Sequence, residues 1–332
     1  MLFIGQNVTQ NPPETLSVIS PKELFEMIAV PGVTLENEIE VLRKMRQIDE
    51  KVYKRRKTFL PYFIGSTFEG NKRNTQSFLR IGAFVLDFDN CLNGQDAEVL
   101  KGRIFEDETV MMTFLSPGAN GIKVVFVLES PITNTKVFTD FYKRFALQFA
   151  RKFGLEAFTD TVTCDVTRIS FLSVDRLCLF RPEPVFVQWK AYTEGLNLAE
   201  VLPLPETFVQ VLPSDSPFVD EPDSIHEETY KQILEKLNPK TPKRKRKYYV
   251  PAELDTITEG IYQAVKEYEI GVKEVEDIQY GRRWTFVLGN STAEINIFYG
   301  KNGFSVVKTT KSGTDPDLCE VVFRIITNLI YT

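Results

Sequence analysis

The spacing of apolar positions divides this chain into helices, strands and a polar interruption. After a short opening strand, Ser20-Pro21-Lys22-Glu23 has the form of a helix start, with Ser20 as cap and Pro21 in the first turn. An apolar face continues to Met27. Ile39, Leu42 and Met45 then recur at helical spacing, predicting a second helix over about residues 35–45. The unbroken run Ile81-Gly-Ala-Phe-Val-Leu86 closes on Asp87-Phe88-Asp89 and reads as a buried strand. A helix to about Phe105 follows. Two apolar runs, about 110–115 and 124–129, flank Ser116-Pro-Gly-Ala-Asn-Gly-Ile-Lys123, the signature of a hairpin with a long turn. Val137, Phe141, Phe145 and Phe149 lie four apart on a helix over about 132–153, stopped by Gly154, and are expected in the core. Alternation from Thr167 to Val174 predicts one more strand, with Ile169 and Phe171 on one face and Arg168 and Ser170 on the other.

From Pro203 to about Glu228 the chain turns rich in Pro, Ser and Asp, and Pro239 to Lys247 is strongly basic, so 206–247 reads as a linker. Residues 248–332 predict a small α+β unit. It comprises a helix near 256–268, strands near 284–288, 294–299 and 304–309, and a closing helix over about 316–329. No internal repeat is found. The expected fold class is α+β.

Composition narrows the function classes. At 332 residues the chain has room for one large domain or two ordinary ones. No run of about 18 apolar residues predicts a membrane span, and the first residues lack the basic and apolar regions of a signal peptide. Cys91, Cys164, Cys178 and Cys319 are scattered without C-x-x-C spacing, which argues against a structural zinc site and fits a cytoplasmic location. A single histidine, His226, falls in the linker. Chemistry built on a histidine base is therefore not expected, and carboxylates are left to carry it. The net charge of −5 speaks against a bulk nucleic-acid coat protein but leaves a nucleic-acid enzyme open.

Asp87 and Asp89 project to the same side of their strand, and Phe88 to the other. Paired carboxylates at the end of a buried strand are costly unless a cation sits between them. A hard divalent ion such as Mg2+ suits oxygen ligands; the plain alternative is a strand end whose acids face water. Residues 51–80 are basic with interleaved aromatics. Lys54, Lys57 and Arg80 are candidate phosphate or template contacts, against the alternative of a solvated face over an aromatic core. The Ser116–Lys123 turn has the ingredients of a phosphate cradle without the Walker pattern, Lys123 standing at the foot of the returning strand. Arg168 follows Asp160 and Asp165 and suits either a phosphate or a structural pair with Asp165.

Asp87-Phe-Asp89, Ser116 to Lys123, and Asp160 eight residues before Arg168 stand in an order that resembles the archaeo-eukaryotic primase (primase-polymerase) superfamily. Tyr53-Lys54, Leu60-Pro61, Gly65-Ser-Thr-Phe68 and Thr167 to Asp175 resemble its VirE N-terminal-domain branch, and CRISPR-associated primase-polymerases are similar. The resemblance spans about 45–185 and implies that 1–205 is a catalytic domain with an RRM-like core, 248–332 being accessory. It implies template-directed nucleotidyl transfer with two Mg2+ or Mn2+ ions held by Asp87, Asp89 and Asp160. Ser116, Asn120, Gly121, Lys123 and Arg168 would bind the nucleotide. The implied partners are a DNA or RNA template and primer, dNTPs or NTPs, and replication or CRISPR adaptation proteins, with no membrane. Two departures stand out. Lys123 occupies a place where many members have histidine. The third acid is Asp160 by its distance to the arginine, with Asp165 and Asp175 as alternatives. Rival readings are a catalytically silent single-strand-binding module and a metal-dependent nuclease or replication initiator.

Overall fold

The computed structural model describes residues 1–9, 15–92, 94–159, 164–193, 248–309 and 313–331. Asp160, His226 and the whole 206–247 stretch lie outside the described residues. Strands β1 (Leu2–Gly5) and β2 (Ser17–Ile19) precede helix α1 (Pro21–Ala29). Ser20 Oγ accepts from Glu23 N–H at 3.2 Å, and Glu23 accepts from Ser20 N–H at 2.8 Å. This reciprocal cap satisfies two backbone donors at the helix start. Helix α2 (Val33–Ile48) buries Ile39, Val41, Leu42 and Met45. Asp49 ends it and caps α3 (Glu50–Lys57), whose last turn carries Lys54, Arg55, Arg56 and Lys57 where cations complement the helix dipole.

Next come β3 (Tyr62–Ile64), β4 (Ser66–Phe68) and the long β5 (Phe78–Phe88). Helix α4 (Ala97–Phe105) leads to the hairpin β6 (Val110–Leu115) and β7 (Ile122–Ile132). Helix α5 (Thr135–Phe153) stops at Gly154, which takes φ 70°. Two-residue strands β8 (Ser170–Phe171) and β9 (Leu179–Phe180) follow. The C-terminal part consists of α6 (Glu253–Glu267), β10 (Gly271–Ile278), β11 (Gly281–Leu288), β12 (Ser291–Gly300), β13 (Gly303–Lys308) and α7 (Pro316–Tyr331).

Among the described residues the strands form three antiparallel sheets, ordered β2-β1-β3-β8, β4-β5-β7-β6-β9 and β10-β11-β12-β13, an α+β arrangement. Strand β5 organises the middle sheet. Phe84, Leu86 and Phe88 face α5 and share a core with Phe141, Phe145 and Phe149. The Phe84 ring stacks on Phe126 at 5.1 Å and meets Phe145 edge-on at 5.2 Å. On the opposite face Ala83 and Val85 pack with Phe63 and Leu172 beneath the first sheet. There Gly65 is indispensable: a Cβ on it would lie 1.9 Å from Ala83 O. Gly65→Ala is expected to cost about 1–3 kcal/mol, the range for overpacking. It should appear as a lower urea midpoint with an unchanged slope.

The C-terminal sheet buries Trp284, Phe286, Ile295 and Ile297 against α6 and α7, and Val41, Met45 and Val52 from α2 and α3 complete that core. Described residues of 1–195 and 250–332 thus pack as one compact unit. Two expectations need correction. The strand expected from Thr167 to Val174 contracts to Ser170–Phe171. Asp165 caps the backbone before it, accepting from Thr167 N–H at 2.7 Å, and beyond it Leu172 N–H turns to Pro61 O at 2.8 Å. Strand β10 had no counterpart in the hydrophobic pattern. It is a charged edge strand, with a bulge between Val272 and Glu274 that breaks its alternation.

Candidate active site at the end of the central strand

The β5–β7 register sets Asp87 directly opposite Lys123, and the Lys123 ammonium ion-pairs with Asp87 Oδ2. Lys123 is buried, and Asp87 Oδ1 is buried without a hydrogen-bond partner among the described residues. Phe88 turns away into the α5 core, its ring 6.3 Å from Phe149. Asp89 leaves the strand, and its N–H donates to Phe158 O at 3.1 Å. Its carboxylate is open to solvent on one side. Burial of the other side, then the charge of Asp87, holds its pKa above the usual carboxylate value against the pull of Lys123, Lys57 and Arg168. Asn90 follows with φ 57°, a conformation asparagine tolerates, and turns the chain away.

Cations and an aromatic ring enclose these acids. Lys57, at the end of α3, lies near the rings of Tyr53 and Phe171, at 6.0 and 5.7 Å. Burial, then Lys123, pushes its pKa down, while Asp87 and Asp89 pull the other way. Burial pushes the Tyr53 hydroxyl up to about 12, with Asp89 and Asp87 adding to the shift. Arg168 sits 6.0 Å from the Tyr142 ring. With Asp87, Lys123, Asp165 and Ser170 it lines a small cavity between the middle sheet and β3.

The hairpin turn is closed on itself. Ser116 N–H donates to Gly121 O at 2.8 Å, and Gly121 N–H donates to Ser116 Oγ at 3.2 Å. Ser116 and Gly121 therefore hold the turn's shape, with the Gly121 N–H engaged inside it. Gly121 is required by packing as well, since a Cβ would lie 2.5 Å from Phe88 O. Asn120 Nδ2 donates to Asn90 Oδ1, tying the turn to the end of β5.

The other sequence candidates separate by place. Lys54 is exposed and pairs with Glu50 at 3.0 Å. Arg80 is exposed and opposite Thr67, seven residues back along β5, hence about 23 Å from Asp87. Asp165 is exposed and caps Thr167. Asp175 is buried, with Oδ2 accepting from Lys101 Nζ at 2.5 Å and Leu115 N–H at 2.9 Å, and Oδ1 from Leu177 N–H at 3.0 Å. Of the Asp160 region, the described neighbour Thr159 bridges Phe88. Among the described residues no three His, Cys, Asp or Glu side chains gather as a metal site. Sequence reasoning passed over Arg46, Tyr53 and Asn90 as site residues. The only signal for Arg46 was its place three after Arg43 on a helix.

Comparison with known proteins gives two matches. Residues 55–180 match the family model of the BT4734-like N-terminal domain, a span that contains Lys57, Asp87, Asp89, Lys123 and Arg168. No curated protein matches the chain. Among solved structures, the AEP domain of the cyanophage S-2L primase-polymerase (PrimPol) is similar. It has 14% identity, covers 44% of this chain and 74% of that one, and gives a TM-score of 0.28. A likeness that distant supports no conclusion about this chain.

Proposed function

We propose that this chain is a template-dependent nucleotidyltransferase of the primase-polymerase type, with an RRM-like core built on β5 and residues 248–332 as an accessory element. One observation carries the reading. Asp87 and Asp89 share an electrostatic site with Lys57, Lys123 and Arg168 at the end of the central strand. Acids that want a cation, beside cations that want an anion, match a metal-bound triphosphate. The donor set fits a divalent ion: Asp87 Oδ1 is a buried acceptor without a donor, and Asp89 is crowded by like charge. Asp87 and Asp89 would hold Mg2+ or Mn2+, with Asp160 as the proposed third acid. When bound, such ions neutralise developing phosphate charge and lower the pKa of a coordinated hydroxyl.

The chain's own groups supply the rest. Lys123 and Lys57 offer ammonium donors to phosphate oxygens, and Arg168 offers a planar fork that can bind two at once. Asn120 and Ser116 shape the loop over the nucleotide. The burial that depresses Lys57 also strengthens its attraction for an anion. Lys54 would contact the template from the exposed side of α3, and Arg80 from the far end of β5. Replication proteins or CRISPR adaptation proteins are the proposed partners, and the cytoplasm the proposed location. No helix among the described residues is long and apolar enough to cross a membrane.

A second reading draws on the Lys123–Asp87 pair, which already gives Asp87 a cationic partner. On that reading the shell binds single strands without catalysis. Labelled dNTP and NTP incorporation on a single-stranded template, with and without primer, in Mg2+ and Mn2+, separates the two. Extended products are expected, and primer-independent products would define a primase. Tight strand binding without product would establish the silent module, and a shortened template a nuclease.

A further inference from the structure

Helix α2 works on two sides. One side belongs to the C-terminal part: Val41 and Met45 lie in its core, Asn37 Nδ2 donates to Asn328 Oδ1 at 2.8 Å, and Lys44 pairs with Asp317 at 2.7 Å. The other side reaches the hairpin turn. Arg43 donates through Nη2 to Val174 O at 2.6 Å and through Nε to Pro117 O at 3.3 Å. Arg46 donates through Nη1 to Gly118 O at 3.4 Å and through Nη2 to Asn90 Oδ1 at 2.9 Å. One guanidinium therefore bridges the 116–121 turn and the residue directly after Asp89. The packing there is close, since a Cβ on Gly118 would lie 2.8 Å from Tyr53 Oη and 3.1 Å from Arg46 Cδ.

We propose that Arg46 is a positioning residue of the nucleotide site, holding the 116–121 turn in register with the Asp89–Asn90 corner, and that the C-terminal element braces α2 from behind. The inference rests on the nucleotidyltransferase reading. A planar guanidinium serves the two acceptors from separate nitrogens held in a fixed fork, whereas a lysine offers one nitrogen on a flexible stem and loses that geometry. The geometry matters because small displacements of substrate-positioning groups cost up to about 100-fold. The two loops Arg46 joins carry Asn120 on one side and Asp89 on the other, so its loss loosens nucleotide placement more than it alters the reacting groups.

The test is steady-state incorporation with Arg46→Ala and Arg46→Lys, beside calorimetric titration of each protein with a dNTP and Mg2+. Arg46→Ala is expected to raise the nucleotide KM and the dissociation constant about tenfold, with kcat within about threefold, and Arg46→Lys to fall between. An unchanged KM, or a loss confined to kcat, overturns the proposal. If Arg46→Ala melts well below the wild type, Arg46→Lys and Asn90→Gly carry the test. Glycine keeps the positive φ and removes the acceptor shared by Arg46 and Asn120, so Asn90→Gly tests the joined corner as a whole while Arg46→Lys tests the guanidinium itself. Both should raise KM, and wild-type values in both overturn the proposal. Wild-type protein that neither incorporates nor binds nucleotide overturns the underlying reading, and this shows before any variant is made.

Discussion

Asp89→Asn is expected to lower nucleotide incorporation by about 1,000-fold or more and to leave the melting temperature at pH 7 unchanged or slightly higher. The activity loss follows from removing a charge that a divalent ion requires, an interaction contributing several kcal/mol to phosphoryl chemistry. The stability result follows from the direction of the pKa shift. Burial and Asp87 hold the Asp89 carboxyl above its usual value, so the folded state binds its proton more tightly than the unfolded chain does. The stability linked to that proton is fully present below the ordinary carboxylate pKa, near 3.9, and is lost as pH rises through the raised value. At neutral pH the ionised group is a burden, softened by its solvent-open side, and asparagine removes it. Melting curves at pH 7 and below pH 4 should show any advantage of Asp89→Asn at neutral pH and none in acid. A clear fall in melting temperature at pH 7 with full activity retained would remove Asp89 from the proposed site.

Asp175→Ala is expected to cost about 3–5 kcal/mol, the range for breaking one side of a buried ion pair. The side chains of Lys101 and Asp175 are only 2% and 4% exposed, and the carboxylate accepts from two backbone N–H groups besides the ammonium. Removing it leaves two amide donors unmet and a buried cation without its counter-charge, bonded only to Leu177 O at 2.8 Å, a large share of the 5–15 kcal/mol that holds an ordinary domain together. Lys101→Met with Asp175→Asn should recover part of the loss, because the stranded charge goes and one acceptor returns. Urea unfolding reads the stability, and incorporation per folded molecule reads the role. Specific activity should survive to the extent that the protein folds. If activity vanished while stability held, Asp175 would be the third metal acid in place of Asp160.

Much of the frame was legible in the sequence because burial is local in pattern. The Phe141, Phe145 and Phe149 spacing placed α5, the run to Leu86 placed β5, and Pro117 to Gly121 placed the hairpin turn. The pairing of Asp87 with Lys123 depends on strand register, which no one-dimensional pattern states. Arg46 and Tyr53 reach the site only because α2 and α3 fold back beside it, and a helical arginine in sequence resembles any solvated one. The Ser116 hydroxyl and Gly121 N–H were legible as turn residues, but their mutual bond was not, since it depends on how the loop closes. Strand β10 escaped because its stabilising partners are cross-strand neighbours rather than its own residues.

The contact between α2 and α7 also bears on how the chain is made. Asn37 and Asn328 are 291 positions apart, and at about 5–20 residues per second their meeting waits about 15–60 s after Asn37 is synthesised. Until then Val41 and Met45 form an unsealed apolar seam on an emerging chain. Nascent protein should therefore need protection by chaperones, and a message truncated before residue 316 should yield a product that proteases clear quickly.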